Sequence, residues 1–410
     1  MRFAGPKTLV VATILGLSVG LPQIFLATFS VFLNPLINEF GWSRSQVSVL
    51  FSVVTVSIAV AAPIFALLIR KFGLRPLLVS SVVFLTASLM FMSWSVSNYT
   101  TFLIWVIVIG LLGTGTTTFA YLSVFPSWFS KRLGIALGIA AMGIGLGQML
   151  FPVLSQHFIA EYGWRVAYQL LAVISLVIAL PIALFVIRQK TNESDQEDQS
   201  TISGAEKFVE PIQIENGSAH YYTNAKFWYL GLGFFIIPMI AAGCTLHAMP
   251  IFMEKGISEG EAARIYALGG LSIMVARVVA GFLLDWIGAK AVAVMACIAA
   301  MIAPLVLSSA VPAYAVIVGP LLYGLALGIE GDLMPFGIRN AFGTASVPVL
   351  YGLFFGVFNC GVVVGPLIMG ITYDRTGSYD GALIALSVTA LFAIPLFLKG
   401  LDSNSNVVNA

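Results

Sequence analysis

Twelve times along the chain, an apolar run of about 20 or more residues gives way to a short polar break: near 8–35, 46–69, 76–96, 101–127, 133–157, 165–188, 227–252, 261–284, 289–310, 312–337, 348–372 and 381–399. At 1.5 Å per residue such a run covers the ~30 Å hydrocarbon core of a bilayer. Backbone N–H and C=O groups in lipid must be satisfied within the segment, so each run predicts a spanning helix. The break between the sixth and seventh is different. Residues 191–226, TNESDQEDQSTISGAEKFVEPIQIENGSAHYYTNAK, are polar and acidic without helical period and predict a flexible linker. The expected fold class is therefore an all-α polytopic membrane protein of twelve transmembrane helices. The expected divisions are an N-terminal six-helix bundle over 1–190, a linker over 191–226, a C-terminal six-helix bundle over 227–400 and a tail over 401–410.

Composition agrees: 59% of residues are hydrophobic and 9% charged, which excludes a soluble domain with an ordinary core. The net charge of +2 and the lack of any basic run argue against nucleic acid as a partner. Cys244, Cys297 and Cys360 all lie inside apolar runs without C-x-x-C or Cys/His spacing, so no disulfide, metal site or cofactor is expected. The opening MRFAGPK precedes an apolar run far longer than a signal-peptide core and is read as leading into a retained first helix. With the N-terminus inside, fourteen lysines and arginines fall on the cytoplasmic side. Only Arg44, Arg165, Lys255, Arg264 and Arg375 fall outside. This bias predicts cytoplasmic termini and linker in a cell membrane, most simply a bacterial inner membrane.

The halves repeat each other. At an offset of 215, Gly41 and Ser43 overlay Gly256 and Ser258, and Gly73 overlays Gly288; at 218, Gly134, Gly138, Gly143 and Gly147 overlay Gly352, Gly356, Gly361 and Gly365. Glycines in register predict close helix packing in two bundles related by an axis along the membrane normal. Gly143-Ile-Gly-Leu-Gly147 follows no strand and is not a nucleotide loop.

Polar groups within the spans carry the candidate chemistry. Arg277 is the sole charge between Ile265 and Leu284, flanked on its face by Gly270 and Gly281. A cation in hydrocarbon costs from ~3 to more than 10 kcal/mol, so it requires a partner, either a structural carboxylate or an anionic ligand. Glu330 and Asp332 in the tenth run are the available carboxylates. Glu330 lies nine residues before Arg339 and Arg277 eight before Asp285, which puts both at a depth of ~12 to 14 Å. Residues 330 and 332 stand about 200° apart on a regular helix, and Glu330 is read as the main proton-carrying group. Asp332 and His247 are the further proton-coupling candidates. Tyr121, Gln23, Tyr323 and Asn359 are candidate substrate-binding groups.

Gly281-Phe-Leu-Leu-Asp285-Trp-Ile-Gly288-Ala-Lys290 resembles the cytoplasmic loop motif of the major facilitator superfamily; its first-half counterpart has Ala66 and Arg70 in place of glycine and aspartate. Within that superfamily, Gly41-Trp-Ser-Arg-Ser-Gln46, Phe129-Ser-Lys-Arg-Leu-Gly-Ile-Ala-Leu-Gly138, His247-Ala-Met-Pro250, Gly256-Ile-Ser258 and Arg277 are similar to the monocarboxylate transporter family, near the oxalate/formate antiporters. The resemblance implies that Arg277 meets a substrate carboxylate. Gln23 and Ile273 stand where animal members carry lysine and aspartate, and the eleventh helix lacks the second cation of the antiporters. One arginine matches one carboxylate. The expectation is thus a transporter and not an enzyme: a monomer in the lipid bilayer that carries out proton-coupled symport of a small organic monoanion, a monocarboxylate, by alternating access. An oxalate/formate-type anion exchanger and a proton-coupled exporter of drugs or amphiphiles are the alternatives.

Overall fold

The computed structural model describes residues 5–129, 133–187, 218–343 and 346–402. Most of the expected linker, the tail beyond Asp402, and Lys131 and Arg132 of the charge count lie outside the described residues. Among the described residues, eleven apolar helices are long enough to cross a membrane, and one of them, Ala136–Val186, counts twice. Its 51 residues would reach about 76 Å as a straight helix, over twice the hydrocarbon thickness. Gly163 breaks it, with φ 78° and ψ 165°. The spans are α1 Pro6–Phe40, α2 Arg44–Ile69, α3 Leu74–Ser95, α4 Tyr99–Leu122, α5 136–162, α6 164–186, α7 Ala225–Glu254, α8 Glu259–Trp286, α9 Gly288–Leu307, α10 Ala313–Phe342, α11 Val349–Thr376 and α12 Asp380–Gly400. These are the twelve crossings expected of a multi-pass membrane protein.

Packing follows the glycine register. A Cβ on Gly143 or Gly147 of α5 would overlap the carbonyls of Ile14 and Ser18 on α1; one on Gly361 or Gly365 of α11 would overlap those of Phe235 and Met239 on α7. The glycine pairs are 218 residues apart and the carbonyl pairs 221, so α5 lies on α1 as α11 lies on α7. Gly73 and Gly288 likewise share φ 81°, a left-handed turn that only glycine takes without strain, at the equivalent loops after α2 and α8. The largest buried cluster draws on residues 227–401, joined only by Val31. The other two draw on 9–187, joined by Leu246.

The end of the molecule that carries the α1–α2, α7–α8 and α11–α12 turns, here the distal end, is clasped shut. Asp374 of α11 accepts the backbone N–H groups of Arg44 and Ser45 at 3.0 and 2.9 Å. A carboxylate there meets the positive end of the α2 dipole. Arg44 also donates to Glu254 at 3.0 Å and to the Tyr379 hydroxyl at 2.7 Å, with its guanidinium over the Tyr373 ring. Gln156 of α5 donates to Glu259 in the first turn of α8 at 2.7 Å. Ser52 of α2 donates to the Val363 carbonyl at 3.0 Å. Toward the opposite, terminal end, no atom lies within 4 Å of the position a Cβ would take on Gly138, Gly281, Gly352 or Gly356. None of these four glycines therefore touches the other half.

Removing the Asp374 carboxylate leaves two backbone donors at the clasp without their acceptor, a loss of ~1 to 3 kcal/mol. Asp374→Ala is expected to speed labelling of a buried Ser52→Cys reporter by an impermeant maleimide about tenfold, in a Cys360→Ala background that removes the exposed native thiol. An unchanged labelling rate counts against the clasp.

Candidate functional site

The site is built on a seam between α8 and α10. Gly324, Gly328 and Gly331 recur at i, i+4 and i+7, one face of α10. A Cβ on Gly328 would stand 2.5 Å from Ala276 Cβ and 3.0 Å from the Ile273 carbonyl of α8; one on Gly324 would overlap the Gly269 carbonyl. With the helices this close, the Arg277 side chain lies across Gly331, whose Cβ would be 2.9 Å from Nη2, 3.0 Å from Nη1 and 3.1 Å from Cζ. Arg277 sits about 14 Å from the terminal end of α8, counted nine residues back from Trp286.

From this position Nη1 faces Asp332 Oδ1 at 4.0 Å, with the two side chains 19% and 28% exposed. That distance is an ion pair without a close hydrogen bond. Arg277 Nε is buried and has no acceptor. Tyr351 of α11 is a neighbour of both groups. The guanidinium thus keeps unused donors while it and Asp332 both stay partly exposed. A carboxylate fits that arrangement, since it can accept from two parallel N–H groups at once.

Several candidate residues take other positions than expected. Glu330 does not meet Arg277: it is fully buried, with neither carboxyl oxygen hydrogen-bonded, on the flank of α10 where it is the charge neighbour of Cys297 on α9. The reason is azimuth. Arg277 covers Gly331, and of the two adjoining carboxylates the one turned toward it is Asp332. Tyr323 was expected along the path but is fully buried, packed against Gly269 with its hydroxyl unpartnered. Tyr121 is likewise buried, its ring filling the space left by Gly16 and its hydroxyl unpartnered. Asn359 donates to the Phe355 carbonyl of its own helix at 2.7 Å.

His247 belongs to the clasp. Its Nδ1 lies 3.0 Å from the Tyr379 hydroxyl, and its Nε2 lies 3.1 Å from both the Pro366 carbonyl and Ser48 Oγ. A carbonyl only accepts and Ser48 Oγ donates to the Arg44 carbonyl, so Nε2 carries the proton and Nδ1 accepts from Tyr379. Arg44, Tyr379 and His247 form one chain of donors across the distal end.

Gln23 is buried in a π-helical turn, Pro22–Leu26, that interrupts α1. The helix breaks after Ser18, and the Leu21 N–H that loses its intrahelical acceptor there donates instead to Thr116 Oγ1 of α4 at 2.9 Å, in the 3-10 turn Thr114–Thr116. Gly147 of α5 makes room for the Gln23 stem. Irregular backbone at mid-span is tolerated where protein or a cavity surrounds it. Of the loop motif, Asp285 is exposed, Gly281 faces open space, Gly288 makes the left-handed turn and Lys290 bonds the Asp402 carboxylate.

Gly331 and Tyr351 escaped the sequence reading. The signal for the first was the i, i+4, i+7 glycine row of the tenth run; for the second, an aromatic row at 351, 355 and 358. Gly331→Ala is expected to leave folding intact, because only the end of a flexible side chain must yield, while displacing the guanidinium by a few tenths of an ångström. Anion affinity should fall about tenfold, ~1.4 kcal/mol. Unchanged affinity in an equilibrium titration means that Gly331 does not position Arg277.

Comparison with known proteins bears on the whole chain. Monocarboxylate transporter 4 of Gallus gallus is 24% identical over 366 residues, covering 88% of this chain and 75% of its own length. Monocarboxylate transporter 13 of Bos taurus is 25% identical over 387 residues, covering 91% and 85%. Among solved structures, the inward open xylose transporter XylE from E. coli superposes with a TM-score of 0.76 over 98% of each chain at 14% identity, a likeness of fold. The profile of the Major Facilitator Superfamily matches residues 9–349. Twelve spans in two repeated halves, a lone mid-span arginine and a match over most of the chain lead to one conclusion: this protein belongs to the major facilitator superfamily.

Proposed function

We propose that the protein moves a small organic monoanion, a monocarboxylate, together with a proton. The N-terminal bundle 1–190 and the C-terminal bundle 227–400, joined through 191–226, rock about the Arg277 site in alternating access. The observation that carries this reading is Arg277: a mid-span guanidinium whose nearest carboxylate is 4.0 Å away and whose Nε–H has no acceptor. The relatives named as monocarboxylate transporters support the same substrate class. The distal end is taken as external from the excess of lysine and arginine at the terminal end. Asp332 is the proton carrier in this scheme, since it is the carboxylate that competes with substrate for Arg277.

A thermal-shift screen of the purified protein against short monocarboxylates, dicarboxylates and lipophilic cations tests the reading. A ligand that binds only the folded state stabilises it by about 2.7 kcal/mol at a hundred times its Kd. Monocarboxylates should raise the melting temperature of the wild type and not of Arg277→Ala. Stabilisation by cations alone would instead favour an exporter.

A further inference from the structure

The α11 helix presents two apolar faces with different surroundings. Phe354 is fully buried, its ring 5.2 and 5.7 Å from those of Phe227 and Phe234 on α7, and this face belongs to the core. Tyr351, Phe355 and Phe358 lie on the neighbouring face, at i, i+4 and i+7. Tyr351 is 39% and Phe355 46% exposed. That face is turned toward the other half of the molecule rather than to lipid, because Val362, one turn beyond Phe358, packs on the core of the N-terminal half, and Tyr351 at its start is a neighbour of Arg277 and Asp332.

The three rings form a ladder. Tyr351 and Phe355 have centroids 6.1 Å apart with planes at 10°, and Phe355 and Phe358 are 5.7 Å apart at 5°. Counted from Val347, where this helix begins, Phe355 and Phe358 stand about 12 and 16 Å from the terminal end, the depth of Arg277. A polar cavity has no use for an uncovered apolar wall at the level of its one cation, whereas a ligand with an anionic end and a flat apolar body covers the wall while it neutralises the arginine. Ring faces prefer offset-stacked or edge-on aromatic partners to aliphatic ones of equal area.

We propose that the substrate is an aryl or arylalkyl monocarboxylate, with its carboxylate on Arg277 and its ring against Phe355, which makes Phe355 a specificity-determining residue. The inference rests on the carboxylate reading of Arg277 and adds the shape of the rest of the molecule. Tyr351 closes the ladder on the side from which the cavity is entered.

Benzoate and cyclohexanecarboxylate have the same number of carbon atoms and differ in the planarity of the ring. Calorimetric titration of the purified full chain with each, and with lactate as an aliphatic reference, tests the proposal. Benzoate is expected to bind at least about fivefold more tightly than cyclohexanecarboxylate. Phe355→Leu, which keeps apolar bulk and removes the ring face, should bring that ratio to about one without abolishing binding; Tyr351→Phe, which keeps the ladder, should preserve it. Equal affinities in the wild type, or a ratio that survives Phe355→Leu, overturn the aromatic assignment while carboxylate binding stands. Binding of none of the three anions overturns both this inference and the reading on which it rests.

Discussion

Arg277→Lys should reduce monocarboxylate uptake by about 10- to 100-fold while the protein still inserts and folds. Charge is conserved in this variant, so the loss isolates geometry. The guanidinium lies flat across Gly331 because a side chain there would come within about 3 Å of it, and it presents Nε and Nη donors as a fork. A lysine ammonium is a compact point charge that reproduces one prong at most. A hydrogen bond to a charged group contributes ~1.5 to 3 kcal/mol, which converts to the stated range. Folding should survive because Arg277 makes a single 4.0 Å ion pair and is partly exposed. Initial rates of counterflow in proteoliposomes, normalised to reconstituted protein, provide the measurement. A lysine variant within twofold of the wild type would show that Arg277 does not orient the substrate.

Asp332→Asn is expected to abolish accumulation driven by an inward proton gradient while exchange of substrate across the membrane continues. Arg277 and ionised Asp332 sum to zero, so a bound carboxylate leaves the site at −1; with a proton on Asp332 the loaded site is neutral. The attraction Asp332 exerts on Arg277 at 4.0 Å is about 1 kcal/mol in water and about 4 at an effective dielectric constant of 20. That competition ends when Asp332 is protonated. Proton and anion binding are then mutually favourable, so wild-type anion affinity should rise as pH falls through the titration of Asp332, by up to tenfold per pH unit. Asparagine imitates the protonated form permanently, and its anion affinity should be independent of pH over the same interval. Glu330→Gln is the control. Glu330 is buried with no hydrogen-bond partner for either oxygen, a pocket in which a charge is expensive and a neutral group of the same shape is tolerated. Its glutamine variant should keep both exchange and accumulation. Loss of accumulation in Glu330→Gln alone would return the coupling role to Glu330.

The depth of each candidate group in the membrane was legible from residue counting, and so was its helix. Arg277 and the two carboxylates were found in that way, and of the glycines in register Gly143, Gly147, Gly361 and Gly365 do mark close helix contacts, whereas Gly138, Gly352 and Gly356 meet no neighbour. Depth did not distinguish Glu330 from Asp332, which are separated by only two residues. The choice between them depends on how α10 is rotated, and that rotation is set by Gly324 and Gly328 seating against Gly269, Ile273 and Ala276 of another helix. Similarly, His247 could be assigned to the outer part of α7 but not to its partners Ser48, Pro366 and Tyr379, which come from three other helices.

The sequence by itself determined that this chain crosses a membrane twelve times in two repeated halves around one mid-span arginine. Hydrophobic length, repeat spacing and an isolated charge are properties of consecutive residues, and a bilayer reads them one segment at a time. Only the tertiary structure decided which carboxylate faces that arginine, that Tyr323 and Tyr121 turn into the core, and that Tyr351 and Phe355 stay exposed. Rotation of a helix about its axis is fixed by close packing against its neighbours, because lipid and a protein core are equally apolar and hydrophobicity gives no torque between them.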